Sequence, residues 1–221
     1  MRFPILASIL LLCPSAALSR QSQADALASL GIKVVEPMSA DELARTKARV
    51  AAELARAGAT PVFQDISSEH GGRAVHLPSG LICPLGKKGQ RLLLATPHSA
   101  SCETINDGTV YRQTVERAPS GASLDWAAAF ARSNAEREPG YKPSTGLSIT
   151  ARPRPGSGAA EHRTLRYDSR ASGRERSVRL QVGLVRGWVL TERTETRKGA
   201  QPNSVADILS EATFGLSMKP E

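Results

Sequence analysis

Alternation of apolar and polar residues marks the clearest element of the chain, between residues 177 and 184. Four apolar residues alternate there with polar or small ones: Val178, Leu180, Val182 and Leu184. A two-residue period places the apolar side chains on one face of a strand and the polar ones on the other. We therefore expect a strand here with one buried face and one wet face.

Turn signals divide much of the chain between residues 61 and 197 into further strands. Asp107-Gly108 follows Asn106 between two strand-like runs, and Asp-Gly at such a position is typical of a tight hairpin. Arg186-Gly187 separates the alternating strand from a returning one, and residues 162–168 predict a third neighbour. Short connections of this kind predict an antiparallel sheet.

Two helices are predicted before and within this strand-rich region. Ser39 with Glu42 three residues later forms a capping box, and the narrow apolar seam that follows predicts a helix over 39–57 that packs lightly or docks a partner helix. Ser123 caps a second helix that runs to about residue 136. Trp126 and Phe130 lie four residues apart on it, and we expect both rings to fill the core.

A third helix with a broad apolar stripe is predicted to begin at Asn203 or Ser204. The elements together predict an α+β fold, an antiparallel β-sheet flanked by about three helices. We divide the chain into a leader (1–24), an N-terminal lead-in and helix (25–60) and a single domain (61–221). The late strand around Trp188 and the closing helix give an element order similar to the PsbP/Mog1-like sandwiches, a resemblance that implies a fold and no site.

The first residues have the order of a secretory signal peptide. Arg2 precedes an apolar run over residues 5–12, and small residues follow it. Cleavage fits after Ser19 or after Ala24. The alternative is an uncleaved anchor, but the run is shorter than the roughly 20 residues that span a bilayer. We predict an exported protein, periplasmic or extracellular, with no transmembrane segment after cleavage.

Export leaves two cysteines in an oxidising compartment, Cys83 and Cys102. The simplest expectation is one structural disulfide between them. A redox-active pair is the alternative, but that chemistry usually requires Cys-x-x-Cys at a helix start, and Pro84 follows Cys83. The spacing therefore favours a structural bridge.

The stretch His76-x-x-Ser79-Gly80-x-x-Cys83-Pro84 resembles a pattern in uncharacterised secreted bacterial proteins, in which a second cysteine also follows. This resemblance covers about forty residues. It implies export and a disulfide, and it implies no activity.

The same region offers the only side chains that suggest metal or hydrolytic chemistry. Glu69, His70, His76 and His98 carry the ligand types of zinc or copper, but no metalloprotease spacing joins them. Ser79 with His76 would be a nucleophile and its base, but the Gly-x-Ser-x-Gly elbow is missing. Solvated loop histidines and a turn serine explain the same residues.

Charge is concentrated in the C-terminal half. The chain carries a net +8, and residues 152–198 hold 12 basic and 5 acidic residues. Arg166, Arg179 and Arg193 occupy polar positions of predicted strands, so they could line one exposed face and bind an anionic envelope component or an acidic protein. Nucleic acid is a poor fit, because interleaved aromatic residues are missing. A solvated face of ion pairs is the alternative.

Composition allows an ordinary soluble domain, because 40% of the residues are hydrophobic and 23% are charged. We predict a non-catalytic binding or scaffolding module of the cell envelope that needs no cofactor. The alternative is a small secreted metal-binding protein or hydrolase built on His70 and His76.

Overall fold

The computed structural model describes residues 37–144, 149–151, 160–171, 173–198, 214–215 and 218. The chain divides into two compact units, Met1–Pro37 and Met38–Glu221, and every described helix and strand belongs to the second. In chain order the elements are α1 (Ala40–Arg56), β1 (Phe63–Asp65), β2 (Arg73–His76), β3 (Ile82–Pro84), β4 (Gln90–Thr96), β5 (Ser99–Asn106), β6 (Thr109–Arg117), α2 (Leu124–Glu136), β7 (Lys142–Pro143), β8 (Ile149–Ala151), β9 (His162–Ala171), β10 (Arg174–Val185) and β11 (Trp188–Arg197).

Two antiparallel sheets dominate the fold. The large sheet has the strand order β4-β5-β6-β11-β10-β9-β7, with β8 also paired to β9, and the small sheet has the order β1-β2-β3. The predicted antiparallel sheet is confirmed, but the described chain is mostly β. It holds two helices, not about three. The predicted helix from residue 203 lies outside the described residues, apart from a turn at Phe214 and Gly215.

Both predicted hairpin turns are present. Asp107 and Gly108 have φ angles of 46° and 77°, and Arg186 and Gly187 have φ angles of 51° and 76°. A two-residue turn with positive φ at both positions matches the right-handed twist of the strands it joins. Glycine takes the second position of each turn without steric cost.

Helix α1 begins as the capping pattern predicts and packs through a narrow seam. The Ser39 hydroxyl accepts the backbone N–H of Glu42 at 3.3 Å. Three residues four apart along one face are buried: Thr46, Val50 and Leu54. These three are the buried residues among the seventeen of the helix, in agreement with the narrow seam. Helix α1 belongs to the same compact unit as the sheets.

Side chains of α1 also bind the outer edge of the large sheet. Glu53 accepts the backbone N–H of Leu92 in β4 at 2.8 Å. Arg56 donates to the Leu92 carbonyl at 3.3 Å and to the Glu53 carboxylate at 2.6 Å. These contacts satisfy backbone groups that an edge strand otherwise offers to another chain. The hydrogen bonds from Arg56 hold the pKa of Glu53 below its ordinary value.

Helix α2 approaches the sheet through alanines rather than through its aromatic rings. Its buried residues are Ala127, Ala128, Ala131 and Ala135. Trp126 is 39% exposed and stacks on Phe130 with 5.4 Å between ring centroids. The prediction that both rings fill the core is wrong for Trp126, because small side chains bring the helix close to the strands and leave the rings on its flank. The Ser123 cap is confirmed by its bond to the Trp126 N–H at 3.1 Å.

The large sheet has two different faces. We call the face that carries Cys102 the disulfide face, and the face covered by α2 the helix face. On the disulfide face, α1 and the small sheet pack against Ala100, Val115 and Leu190. On the helix face, the alanines of α2 pack against the apolar residues of β9 and β10. The alternation over 177–184 separates two faces as predicted, but the expectation that the polar face is wet is wrong here, because Arg179 is 7% and Gln181 1% exposed.

The predicted disulfide is present. Cys83 in β3 and Cys102 in β5 are bonded, with 5.8 Å between their Cα atoms, and both are buried. The bridge joins the small sheet to the hairpin arm of the large sheet. In the chain-entropy model, a loop of this length stabilises the folded state by about 3 kcal/mol.

We expect the variant with Cys83→Ala and Cys102→Ala to lose about 3 kcal/mol of unfolding free energy, because the unfolded chain regains the entropy of the open loop. Urea unfolding followed by circular dichroism measures the loss. Adding reductant should destabilise the wild type by a similar amount and leave the variant unchanged. Equal stability of the oxidised wild type and the variant would contradict the structural role of the bridge.

Candidate ligand groove

Cross-strand register lines up polar side chains on the disulfide face. Directly opposed residues of neighbouring strands share a face. One row crosses five strands that are adjacent in the sheet, in the order β5, β6, β11, β10 and β9. Its residues are Thr104, Tyr111, Thr194, Arg179 and Arg166. The adjacent row towards the small sheet contains Cys102, Gln113, Glu192, Gln181 and Thr164. The rows form a polar half of this face beside its apolar core.

A groove of about 1650 Å³ opens over these rows. Pro84 of the small sheet lines one side of it, and the β5–β6 turn lines another. Its lining includes four acidic residues, Asp107, Asp168, Glu175 and Glu192, and eight basic ones, Arg112, Arg166, Arg174, Arg176, Arg179, Arg193, Arg197 and Lys198. By strand register, Arg166, Arg179 and Lys198 project from the disulfide face, whereas Arg112, Arg174, Arg176, Arg193 and Arg197 belong to the helix face and reach the lining from the other side or through their backbone.

Two of the three predicted arginines lie together in the groove. Arg166 in β9 is directly opposite Arg179 in β10, on the disulfide face. Arg166 is exposed, whereas Arg179 is only 7% exposed. Directly opposed residues of neighbouring strands lie close enough for two guanidinium groups to contact the same anion.

Arg193 lies on the helix face, so the expectation that all three arginines line one face is wrong. It is directly opposite Leu180, whose side chain packs under α2. It binds the Glu138 carboxylate, with one Nη–O distance of 2.8 Å, and its Nε lies 2.8 Å from Glu195. Burial acts to lower the pKa of Arg193, but the bond to Glu138 together with the electrostatic interactions with Tyr167 and Glu195 outweighs burial and raises the pKa.

Tyr167 completes this buried cluster on the helix face. Its hydroxyl donates to the Glu138 carboxylate at 2.8 Å. Burial raises the pKa of Tyr167 above its ordinary value. The arrangement stabilises the junction between the end of α2 and the sheet, because a paired charge can be buried where a lone one cannot.

A second ion-pair ladder crosses the helix face at its other side. Glu103 in β5 is buried and accepts hydrogen bonds from Arg91 at 2.6 Å and from Arg112 at 2.7 Å. Burial acts to raise the pKa of Glu103, but the bonds from Arg112 and Arg91 outweigh it and lower the pKa. These residues were not predicted, because β5 shows no apolar alternation that would assign Glu103 to a face.

The polar neighbours of Arg179 were also not predicted as site residues. Tyr111 and Thr194 lie in its cross-strand row, and Gln113 lies in the next one. The Asp107-Gly108 turn sets the register of β5 and β6, so it could have placed Tyr111. The pairing of β6 with β11 could not have been read from the sequence, because 71 residues separate Arg117 from Trp188 along the chain.

One end of the groove is closed by an ion-pair cluster around Lys198. Its Nζ lies 3.1 Å from Glu175 and 3.2 Å from Asp168. The hydrogen bond to Glu175 raises the pKa of Lys198, and the same bond lowers the pKa of Glu175. Ser177 donates to Asp168 at 3.1 Å. The acidic residues at this end are therefore occupied by neighbours.

His76 and Ser79 form a buried hydrogen-bonded pair, which we call the latch, rather than an open catalytic pair. His76 Nε2 lies 2.8 Å from the Thr96 carbonyl, which can only accept, so this nitrogen carries the proton. His76 Nδ1 therefore accepts from Ser79 Oγ at 2.7 Å, and the same oxygen accepts the Leu81 N–H at 3.1 Å. His76 is fully buried, and burial lowers its pKa. The two side chains hold the β2–β3 turn to the β4–β5 turn.

The four residues predicted as a metal set do not form one in the described structure. Glu69 and His70 are exposed neighbours, 3.6 Å apart, and His98 is exposed. Both ring nitrogens of His76 are used inside the protein. Within the described residues, no group of three or more histidine, cysteine or acidic side chains is arranged to hold a metal ion.

The groove and fold can be compared with known proteins. No family model matches the chain, and no curated protein matches it. Among solved structures, a protein of unknown function from Pseudomonas aeruginosa, PA94, is similar at 16% identity over 72% of this chain and 99% of that one, with a TM-score of 0.39. LpqN of Mycobacterium tuberculosis, involved in cell envelope biogenesis, is similar at 14% identity over 69% of this chain and 74% of LpqN, with a TM-score of 0.30.

These similarities are too distant to assign a class to the protein. The likeness to PsbP/Mog1-like sandwiches and to the secreted-protein pattern stays a prediction. In the described part of the chain, no helix combines the length and the apolar character that a membrane span requires.

We expect His76→Asn to flatten the pH dependence of stability below pH 6.5. The folded state keeps His76 neutral, so the unfolded chain binds the proton first, and the wild type loses about 1.4 kcal/mol per pH unit from this group as the pH falls from about 6.5 towards the lowered folded pKa. Urea unfolding at a series of pH values measures the slope.

The matched control for this test is His98→Asn, which removes an exposed histidine. We expect it to keep the wild-type slope. A wild-type slope in the His76→Asn variant would contradict the buried neutral latch, whatever its overall loss of stability.

Proposed function

We propose that this protein is an exported, non-catalytic binding module that holds an anionic group of an envelope component in the groove of the disulfide face. The observation that supports the proposal best is the cross-strand pair of Arg166 and Arg179, which lines the groove from the disulfide face. Guanidinium groups suit this role, because their planar donors can bind carboxylate or phosphate oxygens in pairs.

The depth of the pair supports ligand binding over a solvated surface. Arg179 is buried, and a charge away from water interacts more strongly with an incoming anion than an exposed one does. Exposed Arg166 stands beside it and leaves the pair accessible from the groove. Tyr111 and Gln113 in β6, which β11 separates from the strand of Arg179, offer neutral donors of the kind that orient a bound oxyanion.

Export is supported by the Cys83–Cys102 bond. Disulfides form and persist mainly in oxidising compartments, and this one is buried in the core of the domain. The leader that would direct export lies within residues 1–24, outside the described residues. Localisation outside the cytoplasm would bring the groove into contact with anionic cell-wall or lipid components.

We expect Arg166→Gln to weaken binding of pyrophosphate by at least about tenfold, because a charge-assisted hydrogen bond contributes roughly 1.5–3 kcal/mol. Isothermal titration calorimetry measures the affinity. Arg166 is the residue of choice because it is exposed, so its replacement leaves the core intact.

Arg132→Gln is the matched control, since it removes one exposed arginine from α2 on the other side of the sheet. It should bind pyrophosphate as the wild type does. The proposal fails if the wild type does not bind, or if both variants lose affinity equally, which would indicate a general charge effect.

The export proposal has its own test in mass spectrometry of the protein recovered from a secreting host. We expect a chain that begins at Arg20 or Asp25 and that gains one pair of hydrogen atoms on reduction. An intact leader, or a reduced Cys83 and Cys102 in the recovered protein, would contradict export to an oxidising compartment.

A further inference from the structure

Several strand ends meet at one end of the large sheet. They are the start of β4, the β5–β6 turn, the end of β9, the start of β10 and the end of β11. Hydrogen bonds join them into one surface. Ile105 donates its N–H to Gly89 at 2.9 Å, and Lys198 donates its N–H to Glu175 at 3.2 Å. Arg176 reaches the carbonyl of Gly108 at 3.0 Å. The turns are therefore held in a fixed relation to one another.

This end of the sheet is strongly basic. Its turns and strand ends carry seven basic side chains, which we call the basic end: Lys87, Lys88, Arg170, Arg174, Arg176, Arg197 and Lys198. Three acidic residues lie among them, Asp107, Asp168 and Glu175. Among the residues that the structure describes, the opposite end carries Arg117 and Arg186 against Glu116 and Glu161. Within this described part, the positive charge is concentrated at the basic end.

Three of these arginines are not neutralised by the described protein. Arg176 is directly opposite Arg197 in the neighbouring strand, and Arg174 stands at the start of the same strand as Arg176. Within the part of the chain that the structure describes, no carboxylate forms an ion pair with any of the three. Such a like-charge arrangement costs stability unless an external anion compensates it.

Exposed apolar side chains accompany the charges. Ile105 is 42% exposed and Tyr111 is 44% exposed, and they flank the β5–β6 turn on opposite faces of the sheet. Tyrosine and aliphatic side chains beside basic residues are typical of surfaces that contact lipid headgroups, where an apolar body and a polar tip can both be satisfied.

We propose that the basic end, which shares Arg174, Arg176, Arg197 and Lys198 with the lining of the groove, docks on a membrane surface of anionic phospholipids. The basic residues extend from the start of β4 to the end of β9, five strand spacings or about 24 Å. A single small anion cannot contact charges so far apart, whereas a layer of headgroups can contact them together. Basic residues near such a surface contribute roughly 1 kcal/mol each at moderate salt.

Vesicle co-sedimentation tests the proposal with the full chain as purified from its host. The probe is a vesicle of equal parts phosphatidylglycerol and phosphatidylcholine, and the control vesicle is phosphatidylcholine alone. We expect binding to the anionic vesicle only, and weaker binding as salt is raised, because the interaction is electrostatic. Equal binding to both vesicles, or binding to neither, would overturn the proposal.

The variant Arg174→Gln with Arg197→Gln removes two exposed charges that hold no ion pair in the described structure. We expect an affinity loss of about twenty-five-fold, or about fivefold per charge. The control Arg45→Gln with Arg132→Gln removes two exposed charges from the helices. The wild type and all variants are prepared with the same N-terminal segment, so that this segment does not cause differences in vesicle binding between them. Equal losses in the two variants would show an effect of net charge alone and overturn the docking surface.

Two further arms separate a membrane surface from the alternatives. Ile105→Ser should weaken vesicle binding without changing its salt dependence, whereas Leu77→Ser, at a more exposed leucine in another turn, should not. Free glycerol 3-phosphate at the same phosphate concentration should not compete. If it does compete, the basic end is a pocket for a small phosphate and not a docking surface. Arg166→Gln should retain vesicle binding, so failure of the groove and failure of this surface are distinguishable.

Discussion

Ten residue pairs join β10 to β11 in antiparallel register, and the surfaces of this protein depend on that central pairing. It sets Leu180 opposite Arg193 and Arg179 opposite Thr194, so neighbouring arginines face opposite sides of the sheet. A slip of one residue would exchange the two sides, because side chains alternate along a strand. It would bury charges under α2 and expose the apolar row, so the apolar packing of α2 holds the groove arginines in place.

The two faces handle charge in different ways. On the helix face, arginines are paired: Arg112 with Glu103, and Arg193 with Glu138 and Glu195. These networks give the buried carboxylate of Glu103 and the half-buried one of Glu138 positively charged partners beneath and beside α2. The basic end carries more basic than acidic residues among those described. Burial accounts for the pairing on the helix face, because a buried charge without a partner is costly.

The cluster of histidine, serine and cysteine around residues 76–83 has one structural role. The Cys83–Cys102 bond joins the small sheet to β5, and His76 with Ser79 joins the β2–β3 turn to the carbonyl of Thr96. Both links connect the small sheet to the β4–β5 hairpin. Residues that suggest catalysis by type can thus be explained by the need to satisfy polar groups at the contact between two sheets.

The amino-acid sequence by itself determined the local elements: the hairpin turns at Asp107-Gly108 and Arg186-Gly187, the caps at Ser39 and Ser123, and the alternation along β10. It also determined the disulfide, because only two cysteines follow the predicted leader. The turns, caps and alternation depend on residues close together in the chain, and the disulfide follows from the number of cysteines. Only the tertiary structure decided that Arg193 leaves the face of Arg166, that α2 packs through alanines, and that distant turns gather the basic residues at one end. Those outcomes follow from strand register and from the approach of a helix to a sheet, which join segments far apart in the chain.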